Sequence, residues 1–267
     1  SEATMREREA LSHECFDLGT WPLFRLQAHA LPDGTHRLFF SIDMIIGDGA
    51  SQRIFIKDLA RAYRGEELPP VAGSYRDHVI AIKRIQDQNR ANAYSSEIKR
   101  MMEEFPLGNV LPANTSVVAR PHMRRMSWDV FEDLVEKIRS YAAQQGVSLS
   151  TVLLYAYASS LALSSREGKI GINVTTYNRN YDLPGIEEMF GDFTGIALID
   201  FDESEGQDAL PRIQQLLLEQ IDDSRSGVQM LAEMGRLQGF AGQALAPFVF
   251  TSLLFDAKKA ENSVLGH

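Results

Sequence analysis

The chain has 267 residues, 44% hydrophobic and 24% charged, a balance suited to a globular protein with one large domain or two lobes. Its 27 basic and 36 acidic side chains leave a net charge of −9, which argues against a nucleic-acid binder. No run approaches the roughly 18 apolar residues of a membrane span, the charged opening SEATMREREALSHE holds no apolar signal region, and the one cysteine, Cys15, excludes a disulfide scaffold, so a reducing cytoplasm is expected.

In chain order, Trp21 to Leu31 and His36 to Ile46 read as strands joined by the turn residues Pro32-Asp33-Gly34-Thr35. The spacing of Ile56, Leu59, Ala60 and Tyr63 predicts an amphipathic helix over Gln52 to Arg64, with Ser51 as its cap and Gly65 as its stop. A longer helical stretch, broken once, covers Tyr75 to about Glu104. The segment Pro106 to Pro121, with three prolines and a glycine, interrupts helical patterning and reads as the connection between two lobes. Beyond it, helices are predicted over Trp128–Gln145, capped by Ser127, and over Leu149–Ser164, capped by Ser148 and apolar enough all round to be buried. Strand-like runs follow at Lys169–Tyr177, Phe193–Phe201 and Ala246–Leu254, with helical patterns at Asp208–Ser224 and Gly227–Leu237. Mixed strands and helices in both halves indicate an α/β or α+β sandwich in each lobe. There is no GxxxxGK[ST] loop and no GxGxxG after a strand, so nucleotide binding has no support.

The chemistry-bearing stretch runs from Ser41 to Ser51, SIDMIIGDGAS. Strand alternation puts Leu38, Phe40, Ile42 and Met44 on one face and Ser41 and Asp43 on the other. Asp43 is thus a carboxylate near the end of an apolar strand, a place that requires a partner. Asp48 lies in the following turn and Ser51 opens the next helix; turn-making and capping account for these two as well as catalysis does.

This segment resembles the signature of the condensation-domain superfamily of nonribosomal peptide synthetases, which share the chloramphenicol-acetyltransferase fold. Ordinary members carry HHxxxDG; aligned on Asp48-Gly49, this chain has Asp43 and Met44 where the histidines would stand. Methionine transfers no proton, so histidine-based acyl transfer has no agent here. What remains, Asp43-x4-Asp48-x2-Ser51, is similar to the DxxxxDxxS pattern of the heterocyclization branch. Three further segments fall in the family's order: Asn173-Val174-Thr175-Thr176-Tyr177-Asn178-Arg179, the GDFT motif at Gly191-Asp192-Phe193-Thr194, and Phe248-Val249-Phe250-Thr251-Ser252-Leu253-Leu254, which resembles a VVFTSxL strand. The flanks Ser12-His13, Trp21-Pro22-Leu23-Phe24 and Gly146-Val147-Ser148 agree. The family's aromatic-rich opening motif and the segment after FTSxL, which carries an aspartate implicated in cyclodehydration, are missing, so the chain resembles the interior of such a domain.

The resemblance implies an α+β sandwich of two chloramphenicol-acetyltransferase-like lobes, partial at both ends: residues 1–115 with the DxxxxDxxS motif and 116–267 with GDFT and FTSxL. It implies a heterocyclization domain that condenses a carrier-bound acyl thioester with carrier-bound Cys, Ser or Thr and cyclodehydrates the product to a thiazoline or oxazoline. A condensation-only enzyme and a non-catalytic relative that docks carrier proteins are the competing readings. The implied partners are upstream and downstream carrier proteins and an adenylation domain. Phosphopantetheine arrives on those carriers, and no other cofactor, metal, nucleic acid or membrane is called for. Thr251 is expected to be a buried hydroxyl that serves cyclodehydration. Asp43 and Asp48 orient the site, and Asp48 is expected to pair with Arg179. Ser51, Asn173, Asp192, Thr194 and Ser252 are expected in substrate binding or support, and the surroundings of Met44 are expected to be shaped for a thioether.

Among the other candidates, the six histidines show no HExxH or paired spacing, which speaks against a metal site, and His13 reads as structural. Cys15 reads as a small buried hydrophobe rather than a nucleophile. Lys99-Arg100 and Arg124-Arg125 suit either a phosphopantetheine or acidic partner or a solvated face.

Overall fold

Alternation in the first two apolar runs produces a hairpin in the computed structural model, which describes residues 2–89, 94–108, 125–179, 183–223, 226–240 and 245–254. Strands β1 (Phe24–Ala30) and β2 (His36–Ile42) pair antiparallel, with Phe24 opposite Ile42 and Ala30 opposite His36. Both are shorter than their apolar runs. The turn forms as its residues dictate: Asp33 accepts from the Thr35 amide and hydroxyl, and Gly34 takes φ +81°. A charged helix α1 (Glu2–Ser12), which has no apolar stripe to announce it, precedes the hairpin, and α2 (Gly49–Tyr63) follows. Phe40 of β2 and Phe55 of α2 stack with ring centroids 4.1 Å apart.

The chain divides into two compact units: one holds the described residues of Ser1–His78, Ala119–Arg125 and Tyr181–Phe193, and the other those of Val79–Val118, Met126–Asn180 and Thr194–His267. A single cut at 115/116 does not describe this division, because the chain leaves each unit and returns. The Pro106–Pro121 connection lies largely outside the described residues. The predicted break in the long helical stretch separates α3 (Tyr75–Asn89) from α4 (Ser96–Glu104).

The second unit is built on a three-stranded sheet. Its central strand β3 (Lys169–Tyr177) pairs antiparallel with β4 (Thr194–Asp202) and parallel with β5 (Phe248–Thr251). Ile170, Ile172 and Val174 are buried on one face of β3, as expected for a central strand with helices against it. Helices α5 (Glu132–Gln145), α6 (Leu149–Ala162), α7 (Ala209–Asp223) and α8 (Gly227–Leu237) complete the unit. Met101 and Met102 of α4, Leu154 and Ala158 of α6, and Met230 and Met234 of α8 meet β3 and β4 in one core. Phe105 lies so close to Gly171 that a Cβ there would come 2.6 Å from its ring, so the strand needs glycine at this point.

Two helix predictions require correction. α5 starts at Glu132 rather than Trp128; Phe131 occupies the cap position without a side-chain bond, and Glu132 and Asp133 place negative charge in the first turn, where the free N–H groups favour it. α6 is capped by Ser148 as expected, yet only Thr151, Leu154, Ala158 and Ala162 are buried, so one face rather than the whole helix enters the core. Arg100 is engaged within its own unit: it donates to Asp200 at 3.0 Å and to Glu97 and Glu104, while Arg212 clamps Asp200 and Glu205. The buried Gln220 side chain accepts from the Leu198 amide and donates to the Leu198 carbonyl, satisfying both backbone groups on the outer edge of β4.

Candidate functional site

The first unit places the DxxxxDxxS segment on a turn between β2 and α2. Asp43 falls just past the end of β2 rather than within it, and one carboxylate oxygen accepts from the Ile45 amide at 3.0 Å. It therefore orders the turn. Met44 is half exposed, with its sulfur 3.9 Å from the Gln52 side-chain amide, so it stands at the surface rather than in an enclosing thioether-shaped recess. Asp48, not Ser51, is the N-cap of α2, and its carboxylate accepts from the Ser51 amide at 2.8 Å. A helix whose first turn begins at Gly49 needs its cap at 48, which moves Ser51 inside the helix.

That shift gives Ser51 another task. Its hydroxyl is fully buried, 2.8 Å from the Asp48 carboxylate and 2.8 Å from the Gly191 carbonyl, and it accepts from the Gly191 amide at 3.0 Å. The Asp48 amide also donates to the Gly191 carbonyl at 3.1 Å. The two motifs are thus stitched together through backbone and side chain. The stitching is tightened by shape: a Cβ on Gly47 would lie 2.8 Å from the Phe190 ring, and one on Gly191 would lie 2.2 Å from the Tyr75 ring. Tyr75, at the start of α3, donates its hydroxyl to the Asp192 carbonyl at 2.6 Å and meets Phe193 edge-on at 5.4 Å. Burial, with the nearby Asp192 and Asp48 charges, raises the Tyr75 pKa above the usual phenol value. The buried His78 stands against Phe193, with ring centroids 4.3 Å apart.

In the second unit, the parallel register of β3 and β5 sets Asn173 beside Val249 and Thr175 beside Thr251. Thr251 is exposed rather than buried, and its hydroxyl lies 2.8 Å from that of Thr175. The expectation of a buried hydroxyl fails because β5 alternates: Phe248 and Phe250 turn inward, leaving Val249 and Thr251 on the open face. Ser252, one residue on, meets Ser150 of α6 at 2.7 Å. Thr194 opens β4, and Arg179 follows β3 in this second unit, whereas Asp48 and Asp192 belong to the first. Cys15 is exposed, not a buried hydrophobe, and His13 pairs with Glu9 one turn back in α1 at 3.1 Å.

Sequence reasoning missed Tyr75, the Tyr75 and Ser51 partners of Gly191, and the pairing of Thr175 with Thr251. Glycine in GDFT was visible, but nothing local links it to a tyrosine more than a hundred positions away. Thr175 was legible as one step of strand alternation from Asn173, and its partner appears only once β5 is in register.

A condensation-domain family model matches residues 1–263, and the chain belongs to the condensation-domain family. It is 30% identical over 253 residues to phenyloxazoline synthase MbtB of Mycolicibacterium paratuberculosis, covering 92% of this chain and 21% of that protein. It is 28% identical over 259 residues to bacitracin synthase 1 of Bacillus licheniformis (94% and 5%) and 29% identical over 254 residues to pyochelin synthetase PchE of Pseudomonas aeruginosa (92% and 18%). Among solved structures, the cyclization-docking bidomain of the nonribosomal peptide synthetase EpoB from Sorangium cellulosum superposes with a TM-score of 0.80 at 28% identity, over 95% of this chain and 53% of that one. The chain therefore spans about half of that solved chain and between 5% and 21% of these curated relatives. The mixed helix-and-strand architecture is the chloramphenicol-acetyltransferase-like fold of such domains.

Proposed function

We propose that the chain is a heterocyclization-type condensation domain that joins a carrier-bound acyl thioester to carrier-bound cysteine, serine or threonine and closes a thiazoline or oxazoline ring. The observation that carries this reading is the built geometry of Asp43-x4-Asp48-x2-Ser51: each motif residue has a defined bonding role in the turn, while no imidazole stands at 43 or 44. The relatives named for phenyloxazoline synthesis and for cyclization support the same branch.

In this reading the acceptor α-amine attacks the donor thioester carbonyl, forming the amide C–N bond as the carrier thiol departs. The side-chain thiol or hydroxyl then adds to the amide carbonyl carbon, and its proton ends on the former carbonyl oxygen. That hydroxyl leaves with the nitrogen's proton as water, and the nitrogen lone pair closes the C=N bond. Proton movement in the last two steps falls to the Thr251 hydroxyl on its exposed strand face. Asp43 and Asp48 hold the motif turn and its GDFT contact, with Ser51 and Asp192. Asn173, Arg179, Thr194 and Ser252 are assigned to substrate binding or support. The substrates arrive as phosphopantetheine thioesters on upstream and downstream carrier proteins, with an adjacent adenylation domain loading the acceptor in the cytoplasm. The thioester supplies the activation.

The test is turnover in the full natively encoded polypeptide, with donor carrier loaded with an acyl group and acceptor carrier loaded in turn with cysteine, serine and threonine. Intact-mass measurement of the acceptor carrier should show the acyl addition and then loss of one water. Amide without water loss would make this a condensation-only domain, and no product at all would leave carrier docking.

A further inference from the structure

We propose that Thr175 is a positioning residue that aims the Thr251 hydroxyl, an inference that rests on the heterocyclization reading above. The two threonines are register neighbours on the parallel strands β3 and β5, and their hydroxyl oxygens are 2.8 Å apart. They sit on the face opposite the core-directed Val174 and Phe250, with Asn173 two residues back along the same side of β3. Both side chains are β-branched, so each χ1 is restricted and the pair is held by two strands rather than by loops.

A hydroxyl has one proton and two acceptor sites. When Thr175 donates to Thr251, the Thr251 proton is directed outward; when Thr175 accepts, Thr251 presents only lone pairs outward. Ring closure uses both faces of such a group. In the addition step Thr251 receives the nucleophile's proton as it passes its own to the amide oxygen, so the hydroxyl is neutral before and after. In the dehydration step it donates to the departing hydroxyl and recovers the proton from nitrogen. Thr175 touches no reacting atom; its contribution is to fix the rotamer and the direction of the Thr251 O–H. Amide formation, which needs neither exchange, is independent of it.

Thr175→Val, Thr175→Ser and Thr251→Val are compared in the full natively encoded polypeptide, with amide formation and water loss timed separately by intact mass and folding followed by thermal melting. Thr175→Val should form the amide at the wild-type rate and close the ring roughly tenfold more slowly, the equivalent of one orienting hydrogen bond. Thr175→Ser should restore ring closure, and adding Thr175→Val to Thr251→Val should change nothing further. Wild-type ring closure in Thr175→Val, equal loss of both steps, or failure of serine to rescue overturns the inference while the functional reading stands. If valine lowers the melting temperature, Thr175→Ala against Thr175→Ser makes the same comparison. A wild-type protein that forms no ring at all overturns both.

Discussion

At Ser51 one hydroxyl serves a carboxylate, a carbonyl and an amide in a fully buried place. Ser51→Ala leaves the Gly191 amide without its acceptor, and a stranded buried polar group costs about 1–3 kcal/mol. A lower denaturant midpoint with unchanged slope is the expected result; an unchanged midpoint would contradict the stitching role. At Asp48 the ranking is informative. Asparagine caps a helix about as well as aspartate, whereas alanine costs about 0.5–2 kcal/mol, so Asp48→Asn should destabilise less than Asp48→Ala. The histidine motif, by contrast, cannot be restored by letters. Asp43 holds the Ile45 amide and Met44 is half exposed, so Asp43→His with Met44→His breaks the turn and places an imidazole in solvent. Such a variant should lose ring formation and gain no histidine-dependent condensation, as a pH–rate profile of amide formation would show.

Among the elements, the first turn of α3 and the GDFT segment fit closely. Gly191→Ala puts a Cβ 2.2 Å from the Tyr75 ring, and overpacking of this kind costs typically about 1–3 kcal/mol. Its effect and that of Tyr75→Phe, which removes only the hydroxyl bond to Asp192, should not add, since both act on one contact. Much of this level was readable beforehand. β3 and α8 match their apolar patterns end to end, and the Asp33-Gly34 turn follows from its residues. The start of α2 was misplaced because a serine directly before an apolar run is the usual cap signal, while Asp48 capping from three residues earlier satisfies the same rule. Thr251 is exposed despite its apolar neighbours because these alternate between two faces of β5. The Ser51–Gly191 bonds span 140 positions, and no local pattern encodes a contact of that range.

At the scale of the whole molecule, pH acts with opposite sign on Glu97 and Tyr75. Glu97 is held below the usual carboxylate value chiefly by its Arg100 hydrogen bond, so its contribution to stability is present above about 4.5 and is lost as pH falls through the lowered folded value. Glu97→Gln should flatten the acid limb of a stability–pH curve, by a modest amount because Glu97 is one-third exposed. Tyr75 has the opposite sign: burial raises its folded pKa, so its contribution is present below the ordinary phenol value near 10 and is lost as pH rises through the raised one. Tyr75→Phe should therefore remove part of the alkaline limb. Ring closure through Thr251, as proposed, is read out by the acceptor-carrier mass in a Thr251→Val time course. Wild-type amide formation and accumulation of product one water heavier than the ring, with closure slowed roughly a hundredfold, are expected. Ring product at the wild-type rate would contradict that role of Thr251.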